Sequence, residues 1–230
     1  MKIENSSTDS GFELKLRPLQ CELKPLTRAD GSAFLSQGET TVLASMYGPI
    51  EARQHNTKVD KATVDVTFRP KIGLPGVKDR FRESIVKSIC ETAILTTLHP
   101  RTAITIQIQE LDDRCGIEAC AVNAACLSLI IGGIDMKFTI AALHCIIDKN
   151  EVLLLDPDQK QASGALASFT FVFDSIHKNL IAANTYGKFS LRQYNDAQLM
   201  CKAASEYLFK FYVDIIKKSL SYKMEASEEL

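Results

Sequence analysis

The stretch LDDRCGIEACAVNAACL, residues 111–127, follows an alternating apolar run and opens a run rich in Ala and Leu. It predicts a strand that turns at Gly116 into a helix, with Glu118 in the helix's first turn. Such a junction is a slot for phosphate, because free backbone N–H groups and the positive end of the helix dipole converge there. Here a carboxylate, Glu118, occupies that turn, and no Arg or Lys lies within it. A carboxylate favours the helix and opposes a phosphate ligand. Asp112 and Asp113 suggest a Mg²⁺ site with Glu118, but such a pair more often closes a strand and biases the next helix start.

Working outward, residues 103–109 alternate Ile with polar residues as a strand, and the helix over 118–131 ends at Gly132-Gly133. Upstream, strands are expected over 20–25, 32–36, 41–47 and 62–68. Turns are expected at Asp30-Gly31 and Gln37-Gly38-Glu39, and the third strand should stop at Gly48-Pro49. Residues 51–61 read as a polar loop and 69–77 as a Pro/Gly loop. A helix over 79–98 carries an apolar stripe of Phe81, Ile85 and Ile89. Downstream, strands over 140–147 and 152–155 flank Lys149-Asn150, a polar loop spans 156–166, and a hairpin pairs 168–173 with 180–185. A last helix covers 191–220. Strands in runs and helices in pairs give an α+β class in a single domain, residues 13–220, between a disordered 1–12 and a charged fraying tail, 221–230.

Of the 230 residues, 46% are hydrophobic, which supports a real core, and the net charge is −1, well short of a free-standing nucleic-acid binder. The 7 cysteines are odd in number and lack zinc spacing, so they read as reduced, buried groups. The polar start carries no signal peptide, and no apolar run reaches membrane-spanning length, so an intracellular chain without membrane attachment is expected. No cofactor is expected, and because the structural reading of Asp112 and Asp113 is preferred, no metal site is assigned.

Five segments in order, RADGSAFLSQGETTVLASMYGPIEA (28–52), RPKIGLPGV (69–77), LHPRTAI (98–104), EACAVNAACLSL (118–129) and GGIDMKF (132–138), resemble the RNase PH family. They are most similar to its ring subunits in the eukaryotic RNA exosome. The resemblance implies an RNase PH-like fold, of the ribosomal protein S5 domain 2-like type, with two sheet-and-helix halves. RNase PH enzymes cleave an RNA 3′ end with phosphate as nucleophile, which requires cations for two anionic groups and carboxylates for proton or metal chemistry. Carried onto this chain, the phosphate-binding Arg of the turn falls at Glu118, an Arg of the preceding helix at Ser84, and two loop Asp residues at Gln161 and Ala167. A subunit without phosphorolytic activity is therefore expected. It would pair with other RNase PH-like chains in a six-membered ring, serve cap proteins and catalytic nucleases, and act on RNA in the nucleus (nucleolus) and cytoplasm.

On charge alone, Lys71, Lys78, Arg80, Arg82 and Lys87 read as a solvated helix face; the resemblance turns Lys71, Lys78, Arg80 and Arg82 into RNA contacts. Arg53 and Lys58 would line the central pore. The alternative is a homodimeric nuclease, metal-dependent or phosphorolytic, acting on RNA or DNA through Asp112, Asp113 or Asp158. Asp156 and Asp158 flank Pro157 and otherwise read as turn formers. His144 reads as a packed core group among apolar strand residues, whereas His55, His99 and His177 have no nucleophile partner. Tyr207, Phe209, Phe211 and Tyr212 read as core and subunit interface.

Overall fold

A computed structural model describes residues 16–53 and 57–228, with side chains to residue 221. The expected disorder of 1–12, and His55, lie outside the described residues. The strands are β1 (Leu19–Leu23), β2 (Gly31–Gln37), β3 (Thr40–Glu51), β4 (Thr63–Arg69), β5 (Thr102–Asp112), β6 (Ile140–Ile147), β7 (Leu153–Leu155), β8 (Ala167–Asp174) and β9 (Leu180–Gly187). The helices are α1 (Val77–Ala93), α2 (Ile117–Ile131), the short α3 (Gln159–Ala162) and α4 (Leu191–Glu228).

The five-stranded sheet runs β1-β2-β3-β5-β4 and the four-stranded sheet β7-β6-β8-β9. All pairings are antiparallel except β4 with β5, whose connection carries α1. Alternation puts Val42, Ala44, Met46, Ile104, Ile106 and Ile108 into one core with α1 and α2. In the second sheet both faces are covered. Ile140, Ala142 and Val172 face α2, while Ala141, Leu143, Phe169, Phe171 and Phe173 face Ala197, Cys201, Ala204 and Leu208 of α4.

α2 therefore lies between the sheets and is buried on every side from Ile117 to Leu129, Glu118 apart. This explains its Ala, Cys and Ser content, since small side chains allow close approach to both layers. Buried Asn123 uses its whole amide on β6, donating to the Ala142 carbonyl (2.9 Å) and accepting from its N–H (2.7 Å). β7 pairs only with the far end of β6, from Cys145 to Ile147, so Asn123 satisfies backbone that β7 leaves open.

Three boundaries differ from expectation. β3 continues through Gly48-Pro49 to Glu51, with a register shift between Tyr47 and Ile50 that leaves the proline out of the ladder. α1 stops at Ala93, because the Leu95 N–H binds the Asp135 carbonyl and Ile94 bridges Met136; only a 3₁₀ turn, Thr96–Leu98, follows. α4 reaches Glu228, beyond the expected end at 220, so the backbone of the presumed tail is helical up to that residue. Phe81, expected in the core, is 56% exposed. All seven cysteines are free thiols, and none of the helices, among the described residues, is long and apolar enough to cross a membrane.

Candidate functional site: the cleft at the start of α2

Gly116 caps α2 in the left-handed region (φ 74°). A Cβ there would lie 3.3 Å from His144 Cβ and 3.5 Å from Arg17 Nη2, so shape and conformation both call for glycine. The turn before it is held from both sides. The Cys115 N–H donates to Asp113 Oδ1 (3.1 Å), and Thr40 Oγ1 donates to the Cys115 carbonyl (2.7 Å). Beneath it, Arg17 Nη2 donates to the same carbonyl (3.2 Å) and pairs with buried Asp156 at 2.5 Å. The start of α2 opens into a cleft of about 650 Å³. α1 contributes Val77, Lys78, Phe81 and Arg82 to its walls, β6 contributes His144, β8 contributes Ser168 and Thr170, and β9 contributes Asn184, Thr185 and Tyr186.

Arg82 is the decisive charge. Its guanidinium lies 3.5 Å from Asp79, 3.8 Å from Glu110, 3.7 Å from Asp113 and 3.9 Å from Glu118, and 5.7 Å from the centre of the Phe68 ring. Glu118 also accepts from Asn184 Nδ2 at 2.8 Å. One cation thus serves four half-buried carboxylates. Burial, then the Asp113 charge, raises the Glu110 pKa against the pull of Arg82. Lys78, the other cation of the cleft, has no carboxylate within ion-pair distance among the described residues. His144, whose Nδ1 lies 3.1 Å from Thr170 Oγ1, is lowered by burial to about 4 and is neutral at pH 7. An anion entering here meets surplus negative charge. A single like-charge contact at about 4 Å costs roughly 4 kcal/mol at an effective dielectric near 20.

The positions carried over from the resemblance are scattered. Ser84 is on the exposed side of α1, whereas Arg82, two residues earlier, reaches the mouth of α2. The slot therefore does have a cation beside it, which reading along the chain missed because α1 supplies it from 36 positions upstream of Glu118. Gln161 accepts from the Asp158 N–H in the capping box of α3, and Ala167 is buried at the start of β8. Neither lines the cleft, where β8 presents only the hydroxyls of Ser168 and Thr170. Arg114 turns to Asp112 (3.4 Å) and Gln159 (3.2 Å) rather than to Glu118. Asp112 also binds Lys71 at 3.2 Å, a hydrogen bond that lowers its pKa. Among the described residues, no cluster of three or more His, Cys, Asp or Glu is placed to hold a metal ion.

The basic stretch is not one face. Arg82 points inward, and Lys87 pairs with Asp65 at 3.2 Å. Arg80 pairs with Glu83 (3.1 Å) and Lys58 with Glu91 (3.4 Å) at the surface, where such pairs contribute little and leave the cation open to competition. Arg53 is exposed, with no carboxylate partner among the described residues. Asn184 was missed as well; nothing in its local sequence marks it, since only the pairing of β9 with β8 brings it opposite Glu118.

The family model described as 3′ exoribonuclease family, domain 1 (RNase_PH), matches residues 15–135. An Arabidopsis thaliana protein, the exosome complex exonuclease RRP46 homolog, is 31% identical over 224 residues, covering 90% of this chain and 94% of that one. The Caenorhabditis elegans exosome complex component RRP46 homolog is 28% identical over 210 residues, covering 90% and 97%. The crystal structure of rice (Oryza sativa) Rrp46 superposes with a TM-score of 0.85 at 29% identity, over 89% of this chain and 96% of that one. The matched stretch runs from the residues before β1 through the strand-to-helix junction at Gly116 and past the end of α2, and the relatives align over nearly the whole length: the chain belongs to the RNase PH family of 3′ exoribonucleases.

Proposed function

We propose that this chain is an RNase PH-like ring subunit of the RNA exosome that contributes structure and RNA contacts but no phosphorolysis. Its relatives from Arabidopsis and C. elegans carry exosome names and align over 90% of it. The observation that carries the non-catalytic part is the Arg82 cluster, in which the guanidinium best placed to grip phosphate is already enclosed by Asp79, Glu110, Asp113 and Glu118. Phosphate would have to displace carboxylates that cannot leave. On this reading the chain pairs with a second RNase PH-like subunit, three such pairs close a six-membered ring, and cap proteins and catalytic nucleases dock on it in the nucleus, nucleolus and cytoplasm. RNA contacts fall to Lys71, Lys78 and Arg80, with Arg53 and Lys58 toward the pore; Arg82 is withdrawn from that set.

The test incubates purified chain with 3′-tailed RNA labelled within the tail nucleotides, with phosphate and separately with Mg²⁺. No nucleoside diphosphate is expected, and its release would overturn the reading. Mass spectrometry of the native complex should recover other RNase PH-like chains in equal amounts. In the assembled ring, Lys71→Glu with Arg80→Glu should weaken RNA retention at low salt without loss of assembly.

A further inference from the structure

Beside the cleft and continuous with it lies an apolar groove of about 210 Å³ between α1 and β9, floored by Ile85, Ile89, Val122 and Val172. β9 is the outer strand of its sheet and pairs with β8 on one side only. Ala182, Ala183 and Asn184 border the groove, and Asn184, Thr185 and Tyr186 border the cleft. Side chains of consecutive strand residues point to opposite faces. Five in a row along one depression mean that the backbone edge of β9 itself runs along it. The sequence of β9, LIAANTYG, has no proline, lysine or other charge to block pairing at that edge.

The charge of this face is equally specific. Asp113 and Glu118 line the cleft with Arg82 and Lys78, and Asp79 and Glu110, outside that lining, take further contacts of the Arg82 guanidinium. Counted with those two, the acids outnumber the bases, which disfavours a polyanion in the cleft floor and favours a cation. We propose that the cleft and groove dock an extended segment of a partner protein whose inward side chains, every second residue, are apolar at one end and Arg or Lys at the other. The segment adds to β9 as an extra strand. Its apolar side chains enter the groove against Phe81 and Ile85, and its basic side chains meet Asp113 and Glu118. This goes beyond ring membership, and the nuclease assay does not bear on it.

Fluorescence anisotropy tests this on the full chain with fluorescein-labelled, acetylated octapeptides whose alternate residues are Val, Val, Arg and Arg, or Val, Val, Glu and Glu, with Ser between them, each in both chain orders. The Val/Arg peptide, in its better order, should bind at least about ten-fold more tightly than either Val/Glu peptide, the equivalent of one good charge contact. Asp113→Asn, which keeps an oxygen for the Cys115 N–H, should weaken it several-fold, as should Phe81→Ala at a half-exposed site that does not hold the core. Glu151→Gln, in the β6–β7 turn, should not. N-methylation of alternate peptide nitrogens, tried in both registers, should abolish binding in one register. Equal affinity for the Val/Arg and Val/Glu peptides, indifference to Phe81→Ala and Asp113→Asn, or displacement by equimolar oligouridylate would each overturn the proposal. So would hydrogen exchange showing the outward β9 amides already protected by a neighbouring subunit in the purified complex, since the occupant would then be that subunit.

Discussion

At the scale of single residues, the cleft is governed by how four acids share one guanidinium. Glu110 is the member whose pKa is pushed upward, first by burial and next by Asp113. A carboxyl that protonates more readily folded than unfolded makes the fold less stable as pH rises through its unfolded value, 4.5, and beyond. Glu110→Gln should therefore be more stable than the parent at neutral pH, and the difference should vanish below the unfolded value. Urea denaturation at a series of pH values measures this; a parent more stable than Glu110→Gln at pH 7 would show that Glu110 supports the cluster instead. The sequence made Glu118 legible, because a strand-to-helix junction is a local pattern. It hid Arg82, because the side of α1 that meets α2 is set by tertiary packing and not by the spacing of Phe81, Ile85 and Ile89. The carried-over Ser84, Gln161 and Ala167 failed to converge for the same reason: positions in a chain do not say which side chains share a space.

At the scale of elements, periodicity located the strands and helices, and errors collected where distant backbone decides an end. α1 gives up its last expected turns to bonds with residues 135 and 136, which no local signal in 94–98 foretells. A contact that the sequence does mark, in hindsight, is the glycine pair where α2 ends against β2. A Cβ on Gly31 would lie 2.1 Å from the Ser128 carbonyl oxygen and 2.7 Å from the Gly132 nitrogen, both fixed backbone. A Cβ on Gly132 would meet the tip of Met46, a side chain able to turn away. Gly31→Ala should cost more than about 2 kcal/mol, at the upper part of the range for overpacking, and Gly132→Ala clearly less. Thermal unfolding of the two variants ranks them, and equal losses would mean that α2 shifts as a body to relieve both.

At the scale of the whole molecule, the two sheets are joined by more than α2. Arg17, just before β1, reaches across to Asp156 after β7, through both its backbone N–H (3.0 Å) and its guanidinium, with the Asp156 side chain fully buried. Removing one partner of such a pair strands the other charge. Asp156→Ala should destabilise the protein by about 3–5 kcal/mol and loosen the Cys115 turn at the cleft floor. Chemical denaturation reads the first effect, and faster exchange of the amides around Gly116 reads the second.

α2 touches both sheets along its length, and Asn123 completes the ladder of the second from within the first half. The boundary of the family match, residue 135, is thus not a seam at which the protein comes apart. A fragment cut there would carry a greasy rod with half its surroundings missing, and should aggregate or stay molten until residues 136–228 are supplied in trans. Inheritance by sequence pattern and independence in folding are drawn along different lines in this chain.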